Sequence, residues 1–178
     1  MAAYGDRLRT RYAEPADVPA IAALIEAAYR GPEAQQGWTT ENHLLTGPRT
    51  SEAAIAALLG DAEDSRFVLA ELDGRPVACA LVQRAGDGAY FGMFAVDPHH
   101  QAGGIGRNVL LACEDAARTE WGATSMTMTV INLREELIAW YERRGYARTG
   151  ARKPFPFHEA AGALRDDFDF VELRKPLG

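Results

Sequence analysis

The stretch Gln101-Ala102-Gly103-Gly104-Ile105-Gly106-Arg107 carries the residue types from which a chain builds a phosphate-binding backbone. The apolar run Tyr90 to Val96 precedes it, and Asp97-Pro98 turns the chain. From Gly104 onward, Ile105, Val109, Ala112, Cys113 and Ala116 recur at helical spacing. A strand thus turns into a helix whose first turn is rich in glycine. The first amides of a helix lack carbonyl partners and lie at the positive end of its dipole, so they suit an anion. Glycine lets a diphosphate approach the main chain without meeting a Cβ. Two other phosphate loops are excluded by their residues. A Walker A loop ends in Gly-Lys-Ser/Thr where this one reads Gly106-Arg107-Asn108, and a dinucleotide fingerprint needs a third glycine where Val109 stands. The loop also follows a meander of hairpins, not the opening strand of a βαβ unit.

A second constellation is Trp140-Tyr141-Glu142-Arg143-Arg144-Gly145-Tyr146, which places a tyrosine beside an apolar helical stripe. Metal chemistry finds little support. His99 and His100 are adjacent and point apart in any regular element, His43 and His158 sit in separate loops, and no Cys/His spacing suits zinc. Arg49, Arg107 and Lys153 are cations available to phosphates, with Arg107 the best placed.

The elements that position these groups follow from local signals. Arg7 to Ala13 reads as a strand. Asp17 is the expected N-cap of a helix carrying Ile21, Leu24, Ile25 and Ala28, stopped by Gly31-Pro32. Ser51 is the expected cap of a second helix through Ile55, Leu58 and Leu59 to Gly60. Phe67 to Leu72 and Val77 to Gln83 form a hairpin through Asp73-Gly74, and Gly86-Asp87-Gly88 turns into the strand Tyr90 to Val96. Met126, Met128 and Val130 alternate with Thr127 and Thr129 in a further strand. Asn132 with Glu135 reads as a capping box before a helix that buries Leu133, Leu137 and Trp140. Gly145 ends that helix, and Tyr146 to Thr149 and Phe168 to Lys175 read as final strands around a long Pro/Phe/Gly loop. This order predicts one mixed α/β domain over residues 1–178.

Bulk properties narrow the function. With 178 residues, 47% hydrophobic and 25% charged, the chain is globular. Its net charge of -6 lacks the basic footprint of a nucleic-acid binder. No uncharged apolar stretch approaches the ~18 residues of a membrane span, and Met1 to Arg11 carries charges and lacks the apolar run expected of a signal peptide. Cys79 and Cys113 fall on apolar patterns as small core residues, which predicts a reducing, cytoplasmic setting.

Gln101, Gly104 and Gly106, read as Gln-x-x-Gly-x-Gly after Asp97-Pro98, closely resemble the pyrophosphate-binding motif of the GNAT superfamily of acyl-CoA N-acyltransferases. The Asp73-Gly74 hairpin and Asn132 to Tyr146 fall in family order, and Trp140 to Tyr146 looks like the family's second motif. The resemblance implies a central mixed, mostly antiparallel sheet of about seven strands flanked by about four helices. It implies acetyl-CoA as cosubstrate, no metal, and a primary amine of a small molecule as acceptor, attacking the thioester directly. Homodimers are frequent in such a family.

The resemblance also distributes roles. Backbone groups of Phe94 and Val96 pair with pantetheine, where the strands ending at Val96 and Ile131 splay apart. An N–H near Phe94 or Ala95 polarises the thioester carbonyl. The amides of Ala102, Gly103, Gly104, Ile105, Gly106 and Arg107 hold the diphosphate. Gln101 is either a further ligand or a plain turn residue, and Asn132 either bonds pantetheine or caps its helix. Tyr141 is the position of the general acid. A phenol near ~10 is a weaker acid than a thiol near ~8.5, so stabilising the thiolate by a hydrogen bond costs less than protonating it. No carboxylate lies on Tyr90 to Val96, leaving Glu71, Glu41 or a water chain to receive the amine's proton. Trp38 and Tyr90, with Phe155 and Phe157, border the acceptor side or serve as packing. Acetylation of a protein or peptide, and a regulator that binds acyl-CoA without turnover, are the alternatives.

Overall fold

Asp73 and Gly74 both adopt positive φ, 51° and 77°, as a two-residue hairpin turn requires. They join β2 (Ser65–Leu72) to β3 (Arg75–Ala85), and a second turn at Gly86 leads into β4 (Gly88–Val96). The computed structural model describes residues 4–31, 41, 43–101, 103–157 and 162–178. Within them, β1 (Leu8–Tyr12) precedes α1 (Val18–Tyr29) and α2 (Glu52–Gly60). After β4 come α3 (Ile105–Trp121), β5 (Ser125–Ile131), α4 (Glu135–Glu142), β6 (Ala147–Pro154) and β7 (Asp169–Pro176).

The strands form one sheet in the order β1-β2-β3-β4-β5-β7-β6, in which β4–β5 is the parallel pair and the others are antiparallel. Four helices and seven strands match the architecture the sequence implied. Side chains alternate across the sheet, so β2 sends Phe67 and Leu69 to one side and Val68 and Ala70 to the other. The first side meets Ile21, Leu24, Ile25 and Ala28 of α1 and Ile55 of α2; the second meets Ile105, Val109, Leu110 and Cys113 of α3. Each such aliphatic side chain contributes about 1.5–3 kcal/mol when fully buried. Both cysteines are free and buried within these layers. No described helix is long and apolar enough to cross a membrane.

Local signals placed most boundaries. Ser51 caps α2, its hydroxyl accepting from the Ala54 amide at 3.2 Å. Asp17 occupies the N-cap of α1, but its carboxylate faces Arg11 and the Glu14 amide. Gly122, at φ 61°, closes α3.

Three expectations need correction. Asn132 does not cap α4: its side-chain oxygen accepts from the Asp169 amide at 3.0 Å, stitching the end of β5 to β7, and Arg134 holds the N-cap position instead. Leu133 is exposed, and the buried stripe of α4 is Leu137, Ile138 and Tyr141, with Trp140 half-buried. β6 runs on to Pro154, because β7 offers it partners as far as Asp169. An unforeseen interior ion pair supports the same region. Glu114 of α3, 2% exposed, accepts from the Tyr146 hydroxyl at 3.0 Å and from Lys175 at 2.8 Å.

Candidate active site

The site begins with a defect in β4. Cys79 pairs with Ala95 but Leu81 pairs with Gly92, so β4 carries extra chain between those two pairs. The bulge puts Met93 at φ 47°, a strained value for a side-chain-bearing residue. Toward β5, β4 is paired only at Ala89↔Met126 and Tyr90↔Thr127. β5 meanwhile stays in register with β7 from Ser125 to Ile131. The sheet therefore opens as a wedge beyond Tyr90. At its narrow end the Tyr90 hydroxyl and Thr129 Oγ1 lie 3.1 Å apart across the gap.

The wedge holds a chamber of 140 Å³ lined by β4, β5 and α4. The Asp97 amide bonds the Val77 carbonyl and Ala95 pairs with Cys79, so by alternation Phe94 and Val96 turn their backbone groups toward the gap. Their carbonyls are already engaged, that of Phe94 by the buried Tyr29 hydroxyl and that of Val96 by the Gln101 side-chain Nε2 at 3.3 Å. The remaining backbone donors there are the N–H groups of Phe94 and Val96.

Tyr141 also lines the chamber. Its ring is packed edge-on by Trp140 at 5.0 Å, Tyr146 at 5.9 Å and Phe91 at 6.2 Å. Burial pushes its phenol well above the ordinary value, with Tyr29 adding to the rise. The group is therefore a neutral hydroxyl at physiological pH, able to donate a hydrogen bond and reluctant to give up the proton.

Where α3 starts, Gly104 takes φ 80°, and the first intrahelical bond runs from the Asn108 amide to the Gly104 carbonyl. The amides of Ile105, Gly106 and Arg107 precede it and face outward. A Cβ on Gly106 would stand 2.9 Å from Phe94 Cζ and 3.6 Å from Trp140, so the helix start lies flat on the wedge. A recess of 200 Å³ opens here, lined by Val96, Gln101, Gly104, Gly106, Arg107, Trp140 and Arg144. The Arg144 guanidinium stacks 3.5 Å over the Trp140 ring, and its Nε is buried without a hydrogen-bond partner among the described residues. Burial, then Arg143 and Arg107, lower its pKa. Two cations, Arg107 and Arg144, and the first turn of α3 thus meet in a recess suited to an anion.

On the opposite side stands Glu41, 7% exposed. Its Oε2 meets Arg30 at 3.3 Å and Arg49 at 3.9 Å, and its Oε1 meets Arg134 at 3.2 Å. A larger chamber of 470 Å³, walled by Phe155, Phe170, Leu45 and Pro48, shares Glu41, Arg49, Ile131 and Phe170 with the wedge. The two chambers adjoin through these shared walls.

The acetyltransferase (GNAT) family matches residues 25–146, more than half of the chain, from α1 through the loop and α4 to Tyr146. The chain belongs to that family. It is accordingly an acyl-CoA-dependent N-acetyltransferase of the GNAT type. Solved structures share its fold. The ribosomal-protein-S18-alanine N-acetyltransferase of Escherichia coli is 22% identical with a TM-score of 0.71, covering 96% of this chain and 94% of its own. The yncA protein of Salmonella typhimurium, solved with acetyl-CoA, is 19% identical with a TM-score of 0.71, covering 97% and 95%. A spermidine N-acetyltransferase chimera from Vibrio cholerae and hSSAT is 17% identical with a TM-score of 0.70, covering 97% and 96%. At such identities the likeness is one of fold. No curated protein matches the chain in sequence.

In this GNAT fold the expected residues divide into groups. Gln101, Gly104, Gly106 and Arg107 line the recess, with Gly103 and Ile105 beside them, while Phe94, Tyr90 and Tyr141 line the wedge. Ala95 faces β3, leaving Phe94 as the amide toward the gap. Asn132 has its side-chain oxygen committed to Asp169. Trp38, Ala102 and His158 lie outside the described residues. Glu71 bonds Arg11 at the β1 edge, away from the wedge, and Lys153 lies near Glu172 on the terminal hairpin. Arg49 lines the larger chamber and the wedge and not the recess. Phe155 walls the larger chamber, whereas Phe157 packs behind it on Phe155 and Phe168.

Tyr29, Arg134 and Arg144 were not anticipated. Arg144 stands within the tyrosine motif, and its four-residue spacing from Trp140, on which it stacks, was the available signal. For Tyr29 and Arg134 no local pattern signals the role.

Proposed function

We propose that this protein moves an acetyl group from acetyl-CoA to the primary amine of a small molecule by direct attack. The observation that carries the proposal is the wedge between β4 and β5, with the recess at the start of α3 at one end, Tyr141 in its wall and the chamber beside Glu41 at the other. Acetyl-CoA supplies an acetyl thioester, activated toward an amine. The outward amides of Ile105, Gly106 and Arg107, with the Arg144 guanidinium, suit its diphosphate. The Phe94 N–H is the donor turned toward a thioester carbonyl.

As the amine nitrogen forms its bond to the carbonyl carbon, the C–S bond breaks and sulfur leaves with the electron pair. Tyr141 donates a hydrogen bond to that sulfur. Its raised pKa makes complete proton transfer costlier than for an exposed phenol. Glu41 is the carboxylate lining both chambers among the described residues, but both its oxygens are engaged by arginines. The amine's proton therefore leaves through water in the chambers.

A small acceptor is favoured over a protein tail by the crossing of two loops over this region. Leu45 bridges Ala163, and the Thr46 amide bonds the Gly162 carbonyl at 2.7 Å. The test is release of CoA thiol from acetyl-CoA with a panel of amines and amino-terminal peptides. Tyr141→Phe is expected to lower kcat about 100-fold while CoA binding stays within twofold. An unchanged kcat removes Tyr141 from the reaction, and CoA binding without turnover on any acceptor points to an acyl-CoA-binding regulator.

A further inference from the structure

Arg134 is 7% exposed at its side chain, lines the wedge beside Tyr141, and spends one terminal nitrogen on Glu41. Its other terminal nitrogen, Nη2, is buried with no hydrogen-bond partner among the described residues. A guanidinium donor withheld from water and left unpaired is costly, and persists where a partner arrives from outside. The charges around it point the same way. Of the described residues lining the two adjoining chambers, Arg30, Arg49 and Arg134 are cationic and Glu41 alone is anionic. Arg30 is largely satisfied, its Nε donating to the Gly47 carbonyl and its Nη1 to Tyr29 and Glu41. Arg49 stacks 5.3 Å over Tyr29. The nearby Glu26 gives its carboxylate to the Arg49 and Thr50 amides and lines neither chamber. A chain of net charge -6 thus concentrates positive charge where the acceptor would sit.

We infer that the acceptor amine also bears a carboxylate, held by Arg134 Nη2, beside an apolar body that packs on Phe155 and Phe170. This rests on the proposed acetyl transfer for the identity of these chambers as the acceptor side. An amino acid fits that chemistry. A polyamine does not, because its remaining ammonium groups would face three guanidiniums.

The experiment separates binding from turnover. Protein saturated with CoA is titrated calorimetrically with N-acetylphenylalanine and with N-acetylphenethylamine, which differ by the carboxylate. N-acetylphenylalanine is expected to bind at least tenfold more tightly, and in Arg134→Met the advantage should shrink below twofold while CoA affinity is unchanged. Equal binding of the two compounds, binding of neither, or an advantage that survives Arg134→Met overturns the inference. So does a matching loss of CoA affinity, which would assign Arg134 to the cofactor. Thiol release is then measured with phenylalanine and phenethylamine. If Arg134-dependent binding stands but neither amine is acetylated, acetyl transfer to such amines fails and the carboxylate site remains.

Discussion

The Tyr29 hydroxyl, at the end of α1, donates a hydrogen bond to the Phe94 carbonyl in the bulge of β4, 65 positions along the chain. Through that contact the first helix holds the backbone that defines the wedge. Tyr29→Phe leaves a buried carbonyl unsatisfied, which costs about 1–3 kcal/mol. Because the same peptide positions the gap, kcat should fall while CoA binding at the recess is largely kept. A denaturant midpoint and steady-state kinetics on one preparation read both effects. A variant of unchanged stability and kcat contradicts the assignment.

Gly106 is the place where α3 meets Phe94. An added methyl would sit 2.9 Å from the Phe94 ring, and that ring is hemmed in by Phe91, Trp140 and Tyr141. Relief therefore has to come from the helix start moving away from the strand. Gly106→Ala should cost about 1–3 kcal/mol through overpacking and weaken CoA association, the latter followed by calorimetry. Retained affinity would show that the outward amides do not contact CoA.

Arg144 stacks on Trp140 beside Arg107, with an orphaned Nε. Arg144→Gln keeps polar bulk over the indole but removes the charge. A charged hydrogen bond contributes about 1.5–3 kcal/mol, so the dissociation constant for CoA should rise about tenfold or more. At saturating acetyl-CoA, kcat should be nearly normal, since the guanidinium lies at the diphosphate end. A fall in kcat without a change in affinity would argue against this placement.

The interior thiols and phenols set an alkaline limit on stability. Burial raises Cys79 from 9.0 to about 12, against a smaller lowering by the Ala95 backbone, and raises Tyr29 from 10.0 to about 12. Both stay neutral in the fold while the unfolded chain ionises at the lower values, so the unfolded state binds fewer protons at high pH. Their contribution is whole below pH 9 and is lost between pH 9 and about pH 12. Denaturant midpoints across that range should fall, and Cys79→Ala should flatten part of the slope. For the same reason neither cysteine should react with a disulfide reagent at pH 8 until the protein unfolds, so released CoA thiol can be measured without interference.

Much of this protein was legible because its signals are local. The Asp73-Gly74 turn, the Ser51 cap, the apolar stripes of α1 and α3 and the glycine-rich start of α3 each involve residues within a few positions of one another. Backbone conformation and helical or strand periodicity act over that distance. The glycine-rich loop could therefore be picked out by residue type and spacing, whereas Tyr141 was singled out by the resemblance of Trp140 to Tyr146 to the family's second motif.

Other features depended on which distant segments the fold brought together. Asn132 is adjacent to a helix, yet its side chain is taken by the Asp169 backbone, because β5 and β7 run side by side. The wedge exists because β5 keeps its register with β7 while β4 bulges against β3, and neither strand's residues state that mismatch. Arg134 meets Glu41 across 93 positions of chain. The apolar and glycine patterns alone determined the elements and the glycine-rich start of α3. The open gap, the arginines around Glu41 and the unpaired Nη2 were decided by long-range register and burial, since a side chain's partner and its access to water are properties of the assembled sheet.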